Sequence, residues 1–372
     1  METPSLMTFL SAWLGFLILI LRLGPALLKG RKATNPVSGE SGRVSILVPA
    51  RNEETNLPRL LESFRHLICS DLEVVVVDDE STDRTAQIIS DFANENPALR
   101  IRLVSGRPRP SGWTGKNWAC HQAFEAASGD WLLFTDADTE HAPMSLVRAT
   151  KRMKDEKLDL LTATPFHRCE TLWEKLLGPF QVFMFIATAA FSKPRPGRVF
   201  AIGQYLLFRR SAYVKQGGHE RIRDVLCDDL ELAHHCLKSG GMYAVEGGGE
   251  PLYHVRMYGS FKDFVRGWRR IFRLGFRHAK ISSSIEMYFV VAALTGSMKF
   301  FSAGWILGAI MISSALFLGT AQRRFGEFSW VGVALLPFSL TVFVVISLFS
   351  VWDLATNQAY EWRGRSYTDT AD

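Results

Sequence analysis

One short stretch restricts the possible folds more than any other: Trp131–Asp138, Trp-Leu-Leu-Phe-Thr-Asp-Ala-Asp. Trp131–Thr135 is almost wholly apolar and follows the turn pair Gly129-Asp130, so it reads as a buried strand of a parallel sheet. It runs directly into two carboxylates, Asp136 and Asp138. Acids at the C-terminal end of such a strand lie in the crevice where open α/β sheets bind ligands. Two carboxylates this close repel unless a cation sits between them. A hard divalent cation such as Mg2+ takes a few carboxylate oxygens together with the oxygens of a substrate phosphate. A solvated acidic turn accounts for the same residues equally well, since Asp is common in turns.

The 372 residues suffice for two or more domains. Apolar residues make up 47%, near the globular average, but they concentrate at the two ends. The formal net charge of +6 comes without a nucleic-acid-binding motif. Much of the excess lies beside apolar segments: Arg22, Lys29, Arg31 and Lys32, then Arg266 to Lys280. That placement suits anionic lipid head groups and an anionic substrate. Five cysteines, without paired spacing, imply no disulfide framework and a reducing compartment.

Leu6–Leu28 is long enough to span a bilayer, with Arg22 near one end where it can snorkel. A cleaved signal peptide competes, but no Lys or Arg precedes the apolar run. The positive cluster after it puts the following domain on the cytoplasmic side. Asn35–Gly42 is a polar linker. Strands are expected at Val44–Val48, Glu73–Val77 and Ile101–Val104, and helices at Asn56–Leu67, Thr85–Asn94 and Trp118–Ala127, with Thr82 or Asp83 capping the second helix. Gly106–Asn117 reads as a loop. This βαβαβ order predicts an α/β, doubly wound, mostly parallel, Rossmann-like sheet. The first strand is followed by no GxGxxG, which argues against a dinucleotide site.

Beyond Asp138, a helix is expected at Met144–Lys154 and strands at Asp159–Pro165, Val199–Phe208 and Tyr243–Val245. Leu172–Phe191 reads equally as a core helix or an interfacial one. Asp228 and Asp229 open a helix over Val225–Leu237, and Phe261–Phe276 is a basic amphipathic helix. Ile285–Leu318 and Trp330–Trp352 are each long enough to span. Two C-terminal crossings, favoured over three, return the tail with Arg363 and Arg365 to the cytoplasm. The domain plan is an anchor over 1–30, a nucleotide-sugar-binding half over 43–170, an acceptor half over 171–280, a transmembrane region over 285–352 and a tail over 353–372.

Three acidic stations thus recur in one α/β domain: Asp78-Asp79, Asp136-Ala137-Asp138 and Asp228-Asp229. With Val-Pro-Ala-Arg-Asn-Glu-Glu after the first strand, Val-Asp-Asp-Glu-Ser-Thr-Asp after the second, and Asp-Asp-Leu-Glu-Leu, this pattern resembles the inverting family 2 glycosyltransferases of the GT-A fold. The resemblance covers roughly Arg43–Arg270. Gly112–Asn117, Val255–Tyr258 and Glu361–Tyr367 are similar to the membrane-bound, lipid-glycosylating subgroup, which includes diaponeurosporenoate and hopanoid-associated glycosyltransferases.

The resemblance implies a nucleotide-sugar donor, UDP-linked by expectation, and a lipid acceptor of isoprenoid type. It implies that Ala50, Arg51, Glu53 and Asp79 contact the base and ribose. Asp138, with Asp136 beside it, would hold Mg2+ or Mn2+ and neutralise the leaving diphosphate. Lys116, in a Gly-bounded mobile loop, suits the diphosphate, although an exposed loop lysine is often only solvated. Asp229 is the expected general base, taking the acceptor's proton as the hydroxyl bonds to the anomeric carbon from the face opposite the leaving group. Alternatively, Asp228 and Asp229 only favour a helix N-terminus.

Arg266-Gly267-Trp268-Arg269-Arg270 resembles the family's Gln/Arg-x-x-Arg-Trp motif, with Arg266 and Arg269 as its arginines and Arg270 in place of the final Trp. That departure weakens a processive polysaccharide synthase reading. The arginines also suit lipid phosphates. The nine His form no metal-binding pattern, and Cys227 and Cys236 suit a core. The expected protein is a multi-pass enzyme of the cytoplasmic (inner) membrane with its catalytic domain in the cytoplasm. The rivals are a short processive synthase, a non-catalytic membrane scaffold and a metal-dependent phosphohydrolase.

Overall fold

The structure, a computed structural model, describes residues 6–29, 42–195, 198–276, 281–295, 305–356, 360–362 and 365–367. The expectations placed on residues 35–41, Arg31, Lys32, Lys280 and Arg363 lie outside the described residues. The first elements are α1 (Leu6–Lys29), β1 (Val44–Ala50), α2 (Leu57–Arg65), β2 (Leu72–Asp78), α3 (Thr85–Glu95), β3 (Arg100–Ser105), α4 (Gly115–Ala126) and β4 (Trp131–Phe134). Then come β5 (Thr139–His141), α5 (Ser145–Asp155), β6 (Leu160–Ala163), β7 (Phe166–His167), α6 (Leu172–Leu176), α7 (Gly178–Ala187), β8 (Leu206–Arg209), α8 (Arg210–Lys215), α9 (Gly218–Arg221), α10 (Asp228–Lys238), β9 (Tyr243–Glu246) and β10 (Tyr253–Val255). The rest is helical, α11 (Phe261–Phe276), α12 (Ile281–Thr295), α13 (Trp305–Gln322), α14 (Trp330–Ala334) and α15 (Leu336–Ala355), except for a terminal hairpin of Tyr360–Trp362 and Arg365–Tyr367.

The chain divides into two compact units. The α/β unit takes the described residues of Ala33–Pro165, Lys193–Met257 and Ala355–Asp372. Its seven-stranded sheet has the order β3-β2-β1-β4-β8-β6-β9. β8 pairs antiparallel with both β4 and β6, and the other pairings are parallel. The strand residues alternate between two cores, as a two-residue period dictates. Ile46, Val48, Val74, Val76 and Leu133 point to one face, and Leu47, Val75, Val77, Leu132 and Phe134 to the other. All ten are almost completely buried, each contributing about 1.5–3 kcal/mol.

This topology decides where chemistry can occur. β2, β1 and β4 are parallel neighbours, so Asp79, Arg51 and Asp136 leave the sheet at one edge. β8 runs the other way, with Leu206 opposite Phe134, so the residues just before it reach the same edge. The expected strand Val199–Phe208 is thus ordered as β8 only from Leu206. Residues 199–205 approach the site as irregular chain, with Gly203 as the sequence cue that a strand does not begin earlier. Just past β1 and β2 the backbone passes through Asn52 and Glu80 at φ values of 53° and 57°. Asn tolerates this region. Asn52 Oδ1 accepts from Thr82 N at 2.8 Å and Asn52 N donates to Ser81 Oγ at 3.0 Å, which joins the two loops.

The helical unit takes the described residues of Met1–Lys32, Phe166–Ser192 and Tyr258–Leu354. Three of its helices are long and apolar enough to cross a membrane: Leu6–Leu28, Trp305–Gln322 and Leu336–Ala355. Gly15 lets α1 approach α12 closely, since an added Cβ would lie 1.9 Å from Phe289 O. Arg22 does not reach away from the apolar surroundings as a lone snorkelling cation. Its Nε donates to Glu286 Oε2 at 2.7 Å, its Nη2 pairs with the other carboxylate oxygen, and its Nη1 donates to Ser192 Oγ at 2.7 Å. The apolar stretch Leu172–Phe191 is two helices rather than one, broken at Leu177 before Gly178-Pro179. An aromatic cluster of Phe180, Phe264, Trp268, Phe272 and Phe343 joins α7, α11 and α15.

Candidate active site

The site forms at the C-terminal edge of the sheet, and its centre is Lys116. The loop expected over Gly106–Asn117 ends earlier than its glycines suggest, because Thr114 caps α4 by accepting from Asn117 N at 3.2 Å. Lys116 is therefore in the first turn of a helix, not in a mobile loop. Asn117 fastens that turn from below, its Nδ2 donating to Ile222 O at 2.7 Å and to Val225 O at 2.8 Å. The Lys116 ammonium lies 3.1 Å from Asp136 Oδ1 and 3.3 Å from Asp228 Oδ2. Its side chain is 20% exposed, so it is not a merely solvated lysine. Burial alone would lower its pKa, but the charges of Asp136 and Asp228 win and hold it well above the ordinary lysine range.

The adjacent aspartates of α10 meet different surroundings. Asp228 is buried, facing Lys116 and, at 3.9 Å, His219 Nε2. Burial would raise its pKa; the Lys116 charge overrides this and holds it below the usual carboxylate range. Asp229 is partly accessible, with Oδ2 accepting from Gly203 N at 3.0 Å and Oδ1 from Leu230 N at 2.8 Å. Burial first, and the charge of Asp228 second, push its pKa up. Both acids lie in the first turn of α10, so they favour its N-terminus as well.

Gly203 lines the same space: an added Cβ would be 2.9 Å from Lys116 Nζ. Its neighbour Gln204 donates to Asp138 Oδ1 at 3.3 Å. The turn carrying Asp136 and Asp138 is braced from within. Thr135 Oγ1 donates to Gln204 O at 2.8 Å, and Thr139 Oγ1 donates to Asp136 O at 2.8 Å. Thr135 Oγ1 also lies 3.1 Å from Nε2 of His141, whose burial lowers its pKa to about 3, so the ring is neutral.

At the other end of the cleft, Ala50 is buried at the end of β1 and Arg51 Nη1 donates to Asp79 O. The same nitrogen is 4.0 Å from Asp79 Oδ2 and 3.7 Å from Glu80 Oε2. Glu53 is buried, accepting from Asn56 Nδ2 at 2.7 Å, while its N–H donates to Thr85 Oγ1 at 2.8 Å. The N-cap position of α3 is Arg84 rather than the expected Thr82 or Asp83, and it makes no side-chain cap; Asp83, one residue further out, accepts from Thr85 N through Oδ1 at 2.9 Å. The three acidic stations converge electrostatically on Cys120, whose thiol is pushed up by burial and feels Lys116, Asp228, Asp136 and Asp79.

Arg266 and Arg269 belong to the helical unit. Arg266 is exposed, 3.5 Å from Asp263 Oδ1. Arg269 forms a fork with Asp353, at 3.0 and 2.6 Å, and lies over the Phe349 ring.

Sequence reasoning did not single out Gly203, Gln204, Tyr213 or His219. His219 is completely buried. The Tyr213 hydroxyl accepts from His219 N at 3.0 Å and lies 2.7 Å from Nδ1. Nε2 is the nitrogen facing Asp228. The only sequence signal was Gly217-Gly218, whose φ values of 91° and 51° turn the chain into this position.

As for a metal, no group of three or more His, Cys, Asp or Glu is gathered to hold one among the described residues. Asp136 and Asp138 at a strand end do match the smaller requirement of Mg2+ or Mn2+, one or two carboxylates completed by substrate phosphate oxygens. The residues therefore fit a cation that arrives with a diphosphate.

A mostly parallel sheet with one reversed strand, its acids and lysine gathered at the edge, is the arrangement of a GT-A-type glycosyltransferase. The sequence narrows this further: residues 45–217 match the model of Glycosyl transferase family 2. The chain is 25% identical over 351 residues to a 4,4'-diaponeurosporenoate glycosyltransferase of Staphylococcus haemolyticus, covering 87% of this chain and 88% of that one. It is 26% identical over 340 residues to the enzyme of the same name from Staphylococcus aureus, with the same coverage. Among solved structures, it is similar to the mannosyltransferase PcManGT from Pyrobaculum calidifontis in complex with GDP-Man and Mn2+. That match has a TM-score of 0.48 and 19% identity, covering 92% of this chain and 99% of that one. It is also similar to Staphylococcus aureus TarS 1-349 in complex with UDP-GlcNAc, at a TM-score of 0.43 and 15% identity, covering 88% and 96%.

Proposed function

We propose that this chain is a membrane-anchored, metal-dependent inverting glycosyltransferase that moves a single sugar from a nucleotide-sugar to a lipid acceptor at the cytoplasmic face. The observation that carries this reading is Lys116 bridging Asp136 and Asp228, with Asp229 and Gly203 beside it in one cleft. Ala50, Arg51, Glu53 and Asp79 would bind the nucleoside, and Lys116 the diphosphate. Asp136 and Asp138 would hold Mg2+ or Mn2+, which when bound offsets the charge that develops on the leaving diphosphate. Gln204, Thr135 and Thr139 keep those two carboxylates in position.

Asp229 is the base of this reading. It is the accessible member of the pair, its two oxygens are oriented by backbone N–H groups, and its raised pKa improves its match to a proton leaving near neutral pH. Asp228, held ionised against Lys116, serves to position that lysine. Arg266, exposed on the amphipathic helix α11, would face acceptor or lipid phosphates, whereas Arg269 is held by Asp353. The lipid acceptor is supported by the relatives, whose name gives a lipid-like carotenoid acid as acceptor, and by the three long apolar helices.

That name also supports a second reading of the acceptor atom. A carboxylate is already ionised at neutral pH and attacks without a base, whereas a hydroxyl requires one. The test of the function is to incubate the purified full-length protein in nanodiscs with UDP- and GDP-sugars and a membrane lipid extract, then identify products by mass spectrometry. A glycolipid carrying one added sugar is expected, and its formation stops in excess chelator. Free sugar or phosphate without a glycolipid, a ladder of polymer, or full activity in chelator would sink the reading.

A further inference from the structure

The Lys116 ammonium sits against Asp136, a carboxylate that the reading above gives to the divalent cation. It is 3.1 Å from Oδ1 of that carboxylate, while Asp138 is engaged by the uncharged amide of Gln204. A lysine and a divalent cation on one carboxylate oxygen repel one another, so one must leave. The two anchors of Lys116 are unequal. Asp228 is 8% exposed at its side chain and faces His219, whereas Asp136 is 32% exposed. The lysine stem is four flexible carbons rooted on a helix turn that Thr114 and Asn117 hold still. Beside its ammonium, Gly203 contributes no side chain. Lys116 therefore has a fixed root, a buried partner that it can keep, and an outer partner that it can exchange.

We propose that Lys116 is a resident counter-ion that blocks the cation position at Asp136 until a diphosphate arrives. The diphosphate then takes the ammonium and frees the carboxylate, so that nucleotide and divalent cation bind as one coupled event. This rests on the reading above, in which Asp136 helps to hold the cation and Lys116 meets the diphosphate. The coupling is reciprocal: whatever factor the nucleotide adds to cation affinity, the cation adds to nucleotide affinity. It would also keep the site from filling with a cation when no donor is present.

The test measures Mn2+ binding to the full-length protein by the loss of the free-ion paramagnetic resonance signal. Mn2+ is added alone, with saturating UDP, and separately with saturating GDP. The wild type is expected to bind Mn2+ weakly alone and more tightly with whichever nucleotide it accepts. In Lys116→Met, Mn2+ alone should bind about threefold to tenfold more tightly, the scale of one partly exposed ion pair. The factor by which nucleotide tightens Mn2+ should shrink. A general loss of positive charge would shift both Mn2+ affinities together and leave that factor unchanged, which overturns the proposal. Mn2+ alone binding no better to the variant also overturns it. Lys116→Gln repeats both measurements should the Met variant fail to fold. A wild type that binds no Mn2+ in any arm yet makes glycolipid overturns the metal reading and this inference together. Intact wild-type binding with an unaltered variant overturns the inference alone.

Discussion

At the scale of single residues, two adjacent aspartates differ because one meets a cation and the other meets its neighbour. Asp228 is tied to Lys116 and faces a neutral His219, so its charge is stabilised where it is buried. Asp229 keeps solvent access and is pushed up to about 7, by burial first and by Asp228 second. A base works only unprotonated, so the transfer rate should rise with pH through about 7 and level off above it. Asp229→Asn keeps the shape but not the proton acceptor, and should slow transfer to a hydroxyl by roughly 10²–10⁴-fold while removing that pH limb. Mn2+ affinity should hold within about twofold of wild type, since Asp229 is neither of the two carboxylates proposed to hold the cation. A rate profile of the variant against pH, measured with saturating donor, decides. Undiminished turnover with a flat profile in both proteins would remove Asp229 from the mechanism and favour an acceptor carboxylate.

At the scale of elements, the fork between α1 and α12 is a charged contact inside a largely apolar unit. The side chains of Arg22 and Glu286 are 13% and 23% exposed, and Ser192 takes a further guanidinium hydrogen. Removing one partner of a largely buried pair leaves the other uncompensated, which costs about 3–5 kcal/mol, whereas replacing both by apolar residues is often neutral. Arg22→Leu and Glu286→Leu should each lower the midpoint of thermal aggregation in detergent, and the double variant should recover most of the loss. A double variant that loses the sum of the two single effects would show that the residues act independently. This pair illustrates what the sequence could and could not convey. Each is a charge within an apolar run of the sequence, but their partnership depends on 264 residues of separation that no local pattern encodes. The strands of the α/β unit were legible because apolar runs ending in acids have few other readings. The start of α4 was not, since Gly112 and Gly115 signal a loop while the Thr114 cap and the Asn117 contacts to residues 222–225 make a helix. Gln204 and His219 carried no periodic or motif signal. They matter through the reversed strand β8 and the turn at Gly217-Gly218, both set by the tertiary fold.

At the scale of the whole molecule, the helical unit is drawn from three separated stretches of chain, and its long apolar helices lie near both ends of the sequence. Many of their large side chains face outward: Leu6, Met7, Leu21, Ile312, Leu316, Leu348 and Trp352 are all exposed. In water, an apolar surface of this extent would drive aggregation; in lipid it is the surface required. The basic residue Lys29 ends α1, and Arg31 and Lys32 follow it in sequence, which favours placing the α/β unit on the cytoplasmic side. The intact protein should accordingly stay with the membrane pellet through an alkaline carbonate wash and enter solution only with detergent. In inverted membrane vesicles, added protease should cut within the α/β unit; in right-side-out spheroplasts that unit should survive until detergent is added. Release by carbonate would make the apolar helices peripheral. Cleavage of the α/β unit in intact spheroplasts would reverse the orientation and separate Lys116, Asp136 and Asp229 from the cytoplasmic pool of nucleotide-sugars on which the proposed reaction depends.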